Sequence, residues 1–99
     1  MVVGVLTADL LLGDVRSLKE KRGIVRPVIA ELRRRFEVSV AETGQQDLYR
    51  RAEVSVALVS GDHGHVRAVL DGCERLLAGR PELDLLAVRR RTLDSDDLD

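Results

Sequence analysis

A four-stranded antiparallel β-sheet with two helices packed on one of its faces is the fold class this sequence predicts, and three observations lead to it. Stretches rich in Val and Leu that suit strands alternate with stretches of three- and four-residue apolar spacing that suit helices, in the order β-α-β-β-α-β. The two middle strands are separated by Gly44-Gln45-Gln46-Asp47, a polar segment of the kind that closes a hairpin. Ninety-nine residues with 44% hydrophobic content are enough for one core and too few for two. Two right-handed β-α-β units joined by a hairpin build the α+β arrangement known as the ferredoxin-like sandwich.

The elements follow in order. Val2 to Leu12 lacks a helical cap before it, is dominated by Val and Leu, and is broken by Gly13-Asp14, so it is predicted as a strand. Ser17 with Glu20 makes a Ser-x-x-Glu capping box, which starts a helix. Leu18, Val25, Val28, Ile29, Leu32 and Phe36 then form its apolar stripe. Pro27 removes one backbone donor and crowds the carbonyl of Gly23, which predicts a kinked helix over 17–36. Phe36 to Thr43 and Arg51 to Val59 alternate apolar and polar residues as strands do. Asp62 caps a second helix with the stripe Val66, Val69, Leu70, Cys73, Leu76 and Leu77, which ends at Gly79 and Pro81. Leu83 to Leu93 is the last strand. Residues 1–93 are therefore expected to form one domain, and 94–99, poor in apolar side chains, an acidic tail without structure.

Alternation assigns the sheet faces. Leu6, Ala8, Leu10, Val54, Val56 and Leu58 make the larger apolar set and are expected to meet the helices. The opposite set, Val3, Val5, Thr7, Ser55 and Ala57, is smaller yet still mostly apolar. A face of that kind is often covered, and a second copy of the chain is the simplest cover, so a homodimer through this face or an edge strand is expected.

Charge is sorted along the chain. Between Arg16 and Arg35 stand eight cations against two anions, in a protein whose formal net charge is −1. On a helical projection Lys19, Arg22, Arg26 and Arg33 fall on one flank beside the apolar stripe, while Glu20 and Glu31 fall away from it. Such a row reaches successive phosphates, and each phosphate neutralised releases counterions without any reading of sequence. An ordinary solvated flank, whose long side chains cover the core edge, is the competing interpretation. Arg16, Lys19, Arg22, Arg26 and Arg33 are the candidate nucleic-acid-binding residues. The tail residues Asp94, Asp96, Asp97 and Asp99 are available to fold back on this flank and compete as a phosphate mimic.

The strings Val3-Gly4-Val5-Leu6, Arg16-Ser17-Leu18-Lys19-Glu20-Lys21-Arg22, Phe36-Glu37-Val38-Ser39-Val40-Ala41-Glu42, Gln46-Asp47-Leu48 and Arg51-Ala52 resemble the YlxP-like bacterial proteins, a family of unknown function. The resemblance runs from about residue 2 to 92 and implies the ferredoxin-like fold read above. Genes of that family often neighbour those for translation-initiation and ribosome-assembly factors, so the resemblance implies an association with the ribosome. It brings no catalytic or ligand residues, and the tail from Asp94 lies beyond it.

Other constellations are weaker. Base stacking on the open sheet face, as in RNA-recognition domains, needs aromatic residues there, and the chain has only Phe36, in the helix stripe, and Tyr49, at a strand edge. A contact to the backbone shape of folded RNA is the version that survives. His63 and His65 lack ligand-spaced partners and read as a turn, so no metal or cofactor is expected. Cys73 is in phase with the second helix stripe and reads as a buried packing residue; a lone cysteine also forms no internal disulfide. Asp9 and Glu42 are available to pair with Arg50 or Arg51, within the sheet or across a subunit boundary. No acid/base pair with assignable roles and no glycine-rich phosphate cradle is present, so the chain is read as non-enzymatic, without a catalytic residue or an evident small-molecule substrate. Its apolar runs are too short for a membrane span and its start lacks a signal peptide, which leads to a soluble cytoplasmic expectation. Together these point to an accessory protein acting on ribosomal RNA or a ribosomal subunit, with a homo-oligomeric interaction module as the alternative. A metabolite sensor at a dimer interface is a third reading, from fold analogy alone.

Overall fold

In the computed structural model, which describes residues 1–98, strand β1 (Val2–Leu12) leads into helix α1 (Leu18–Phe36), strands β2 (Ser39–Gly44) and β3 (Arg51–Ser60), helix α2 (His63–Gly79), strand β4 (Leu83–Asp94) and one helical turn, α3 (Ser95–Leu98). The sheet order is β2-β3-β1-β4 with every pairing antiparallel. β1 and β3 are the central strands because each crossover passes over one strand, α1 carrying the chain from β1 over the place of β3 to β2 and α2 carrying it from β3 over β1 to β4. The predicted ferredoxin-like α+β sandwich is the fold.

Register puts the larger apolar set on the helix side, where Leu6, Ala8, Leu10, Val54 and Val56 are buried against Val25, Val28 and Leu32 of α1 and Val66, Leu70, Cys73 and Leu77 of α2. Gly4 permits the close approach of α2, since a Cβ there would run into Val66. Gly72 does the same between the helices, where a Cβ would collide with the ring of Phe36.

Three expectations are corrected. The second strand begins at Ser39 instead of Phe36, because α1 continues through Phe36 and stops only where Glu37 turns into the left-handed region (φ 50°) and its N–H donates to the Arg33 carbonyl at 3.2 Å. Helix α1 is one helix through Pro27, as expected, but its buried stripe takes in Lys21 beside Val25, Val28 and Leu32 and leaves Leu18, Ile29 and Phe36 only half-buried. The tail is placed as well: Asp94 ends β4 opposite Val2, and α3 is fastened where Ser95 Oγ accepts from the Met1 amine at 3.1 Å and Asp97 Oδ2 from the Asp94 N–H at 2.8 Å. The expectation for Asp99 lies outside the described residues. No helix among the described residues is long and apolar enough to cross a membrane.

Candidate nucleic-acid interface

The interface starts with the cap of α1. Ser17 Oγ accepts from the Glu20 N–H at 3.1 Å, and Glu20 Oε2 accepts from the Arg16 N–H at 3.0 Å, one residue earlier than the capping box predicts. The first turn is thereby fixed, and with it the direction of Lys19 and Arg22.

From there the eight cations of the segment part company. Arg16 is an exposed loop residue that meets the equally exposed Asp14 at 3.4 Å, a pair of little energetic weight. Arg33 Nη2 donates to the Val40 carbonyl of β2 at 2.6 Å, so this guanidinium is committed to the edge strand. Arg35 meets Glu31 at 3.3 Å and lies over the Phe36 ring, 5.5 Å from its centroid. Lys21 is buried at 2% exposure, where its ammonium donates to the Gln45 carbonyl at 2.6 Å and sits 2.9 Å from Glu42 Oε2. The Glu42 contact is a charge pairing and not an aligned hydrogen bond, since that buried oxygen accepts none among the described residues.

Lys19, Arg22, Arg26 and Arg34 have no carboxylate partner among the described residues. Three of these gather. Lys19, Arg22 and Arg26, at three- and four-residue spacing on one helix face, line a shallow depression of about 410 Å³ whose floor is Gly23 and Pro27. Nothing stands within 4 Å of where a Gly23 Cβ would be, so the floor is open to solvent. Of the five candidate residues, the fold brings together Lys19, Arg22 and Arg26; it sets Arg16 in the preceding loop and Arg33 against β2. Three long cations in a row over a floor without bulky side chains can each reach one of three successive phosphates.

The tail lies elsewhere. α1 starts beyond the Leu12 end of β1 and α3 is tied to the Met1 end, so the eleven-residue strand puts roughly 33 Å between the tail and the first turn of α1. Asp94, Asp96 and Asp97 form no ion pair with the basic flank among the described residues, so a fold-back onto it is not the arrangement adopted. Within the chain, Asp9 and Glu42 do not pair with Arg50 or Arg51 among the described residues. Glu42 meets Lys21, while Arg50 Nε donates to the carbonyls of Gly13 at 2.8 Å and Leu12 at 3.3 Å. Arg51 Nε is buried and makes no hydrogen bond among the described residues.

Lys21 is the residue that sequence reasoning missed, counted there as one more surface cation. The signal was present in its phase: it stands four residues before Val25 and seven before Val28, on the stripe that became buried. Cys73 is fully buried, and desolvation, only partly offset by the charge of Arg90, pushes its thiol from the ordinary value near 9.0 up to about 11.

On the open sheet face Val3, Val5, Ala57 and Leu93 remain partly exposed and Val59 is 67% exposed. Beside them runs a polar network. Thr43 Oγ1 donates to Glu53 Oε2 at 2.8 Å and shares a hydrogen bond with Ser55 at 2.7 Å, Ser55 meets Thr7 at 3.1 Å, and Arg89 donates to Glu53 Oε1 at 3.2 Å. Neither edge is bare. The Val40 and Glu42 carbonyls of the outer strand β2 accept from Arg33 and Gln46, and the other outer strand, β4, carries Arg89-Arg90-Arg91.

Comparison with known proteins agrees with this architecture. The chain is similar to the uncharacterized protein YlxP of Bacillus subtilis (strain 168), 26% identical over 88 residues that cover 89% of this chain and 96% of that one. The de novo designed ferredoxin-fold protein LFR1 1 superposes with a TM-score of 0.50 at 12% identity, over 96% of this chain and 87% of the other. A variant of SnoaB, a cofactor-independent oxygenase from Streptomyces nogalater, superposes with a TM-score of 0.53 at 10% identity over 94% and 92%. At such identities the likeness is one of fold. Residues 3–90 match the family described as "Protein of unknown function (DUF503)", and the chain belongs to that family.

Proposed function

We propose that the protein is a non-enzymatic accessory factor that binds the phosphates of structured RNA, ribosomal RNA or a ribosomal subunit being the expected partner, through the depression formed by Lys19, Arg22 and Arg26. The observation that carries this reading is that these three side chains converge without a carboxylate partner in a protein of net charge −1. Arg80, Arg89 and Arg90 are each neutralised by a neighbouring acid, while Arg34, Arg67, Arg75 and Arg91, also without a carboxylate partner among the described residues, lie outside this depression. A cysteine nucleophile is the poorer reading because Cys73 is buried with its thiolate disfavoured.

The test is RNA binding over a salt series. Three phosphate contacts give a log–log slope of about 2 to 3, at about 0.7–0.9 per phosphate, largely independent of RNA sequence. Arg22→Gln with Arg26→Gln removes about two phosphates' worth of that slope and leaves the unfolding midpoint unchanged, since both side chains are exposed. Salt-insensitive or absent binding to ribosomal subunits and to folded ribosomal RNA would end this proposal.

A second reading is homodimerisation through the open sheet face, favoured by the band of Val3, Val5, Ala57, Val59 and Leu93. The capped and charged edges make the face the better candidate than either edge strand.

A further inference from the structure

The loop that joins β2 to β3 is fastened more firmly than a hairpin turn requires. The Gln45 carbonyl accepts from both the Lys21 ammonium, at 2.6 Å, and the Leu48 N–H, at 3.1 Å. Gln46 Nε2 donates back to the Glu42 carbonyl at 3.1 Å, and at the far end Arg50 grips the Gly13 carbonyl at 2.8 Å while its own carbonyl accepts from the Leu12 N–H, also at 2.8 Å. Gln45 takes a left-handed conformation, φ 60°, to make this possible. Yet the loop so held presents Leu48 and Tyr49 to water at 49% and 48% exposure. Folding alone gives no reason to fix a backbone in order to expose its only tyrosine.

Position supplies the reason. Lys21, which shares the Gln45 carbonyl with Leu48, lies between Lys19 and Arg22 in α1, and Arg50 anchors to the loop that leads into the same helix. Tyr49 therefore stands at the end of the molecule from which the basic helix starts, between two tethers to that region. An exposed aromatic ring held at the end of the molecule where the unpaired cations begin matches one chemistry well, that of a nucleotide chain, whose phosphates meet the cations while an unpaired base lies on the ring. The ring loses little conformational freedom on binding because its backbone is already fixed.

We infer that Tyr49 is a base-stacking residue and that the preferred ligand is folded RNA with an unpaired nucleotide beside a helical stem. This rests on the phosphate reading above and adds the part of the RNA that is recognised. Stacking here occurs at the hairpin tip and needs no aromatic residue on the sheet face.

The chain has one tyrosine and no tryptophan, so its intrinsic fluorescence reports on Tyr49 alone. Two RNA hairpins of equal length, one fully paired and one with a single bulged nucleotide, are titrated into the full-length protein. The bulged hairpin quenches the fluorescence and binds about 5- to 150-fold more tightly, the range expected for one stacked base. Tyr49→Ala abolishes that preference without altering the salt slope, and Tyr49→Trp retains it; the unfolding midpoint of each variant confirms the fold. Equal, salt-sensitive binding of both hairpins with no quenching overturns the stacking role and leaves the phosphate reading standing. Absence of salt-sensitive binding to either overturns both, and quenching by poly-glutamate in place of RNA overturns both in favour of an acidic peptide partner.

Discussion

Lys21 shows how a charged residue is accommodated in the core. Removing an ammonium from water carries a cost of several kcal/mol, offset here by the Glu42 carboxylate at 2.9 Å and the Gln45 carbonyl at 2.6 Å. Lys21→Ala leaves Glu42 half of a broken pair. The expected loss is about 3 kcal/mol in urea unfolding, the low end of the usual range because Glu42 keeps some contact with water. The double variant Lys21→Met, Glu42→Gln regains most of it, and a double variant as unstable as the single would show that the pairing is not what matters. Cys73 yields a pH prediction. Its thiol holds its proton to about 11 in the native state and to about 9.0 unfolded. Between those values the native state binds more protons, so stability falls as pH rises through that window. Cys73→Ala lacks this slope, and thermal melts at several pH values compare the two.

At the scale of the element, α1 carries a structural and a binding task at once. Its cap, with Ser17 Oγ on the Glu20 N–H, sets the first turn, and its inner face holds Lys21, Val25, Val28 and Leu32 against the sheet. The outward face is left to Lys19, Arg22 and Arg26. Ser17→Ala is expected to cost about 0.5–2 kcal/mol and to loosen the segment that presents Lys19 and Arg22. If stability is unchanged while RNA affinity falls, Ser17 belongs to the interface and not to the cap. Helix α2 has a simpler design, with Asp62 accepting from the Gly64 N–H at 3.0 Å and one broad apolar face. The stripe read from its sequence is the stripe that is buried.

For the whole molecule the question is what covers the open sheet face. The Arg33 and Gln46 donors on β2 and the arginine run on β4 disfavour strand addition, whereas Val3, Val5, Val59 and Leu93 lie uncovered. Light scattering at tens of micromolar is expected to give the mass of a dimer, and Val5→Glu to return it to a monomer; a wild-type monomer would leave the face without this role. The element order, the sheet faces and the stripe of α2 were legible in the sequence because each rests on local periodicity, where a residue's neighbours a few positions away decide its side. Pairing across distance was not legible. That Lys21 is buried depends on a carbonyl 24 positions later, and that Arg33 is committed to Val40 depends on how β2 docks beside α1. The tail's position likewise depends on Met1, 94 residues before Ser95. By itself, then, the sequence determined a ferredoxin-like sandwich and the stretch in which its cations are concentrated. Which cations remain free for a partner was decided only by the tertiary structure, because a charge is neutralised by whatever the fold brings within hydrogen-bonding reach.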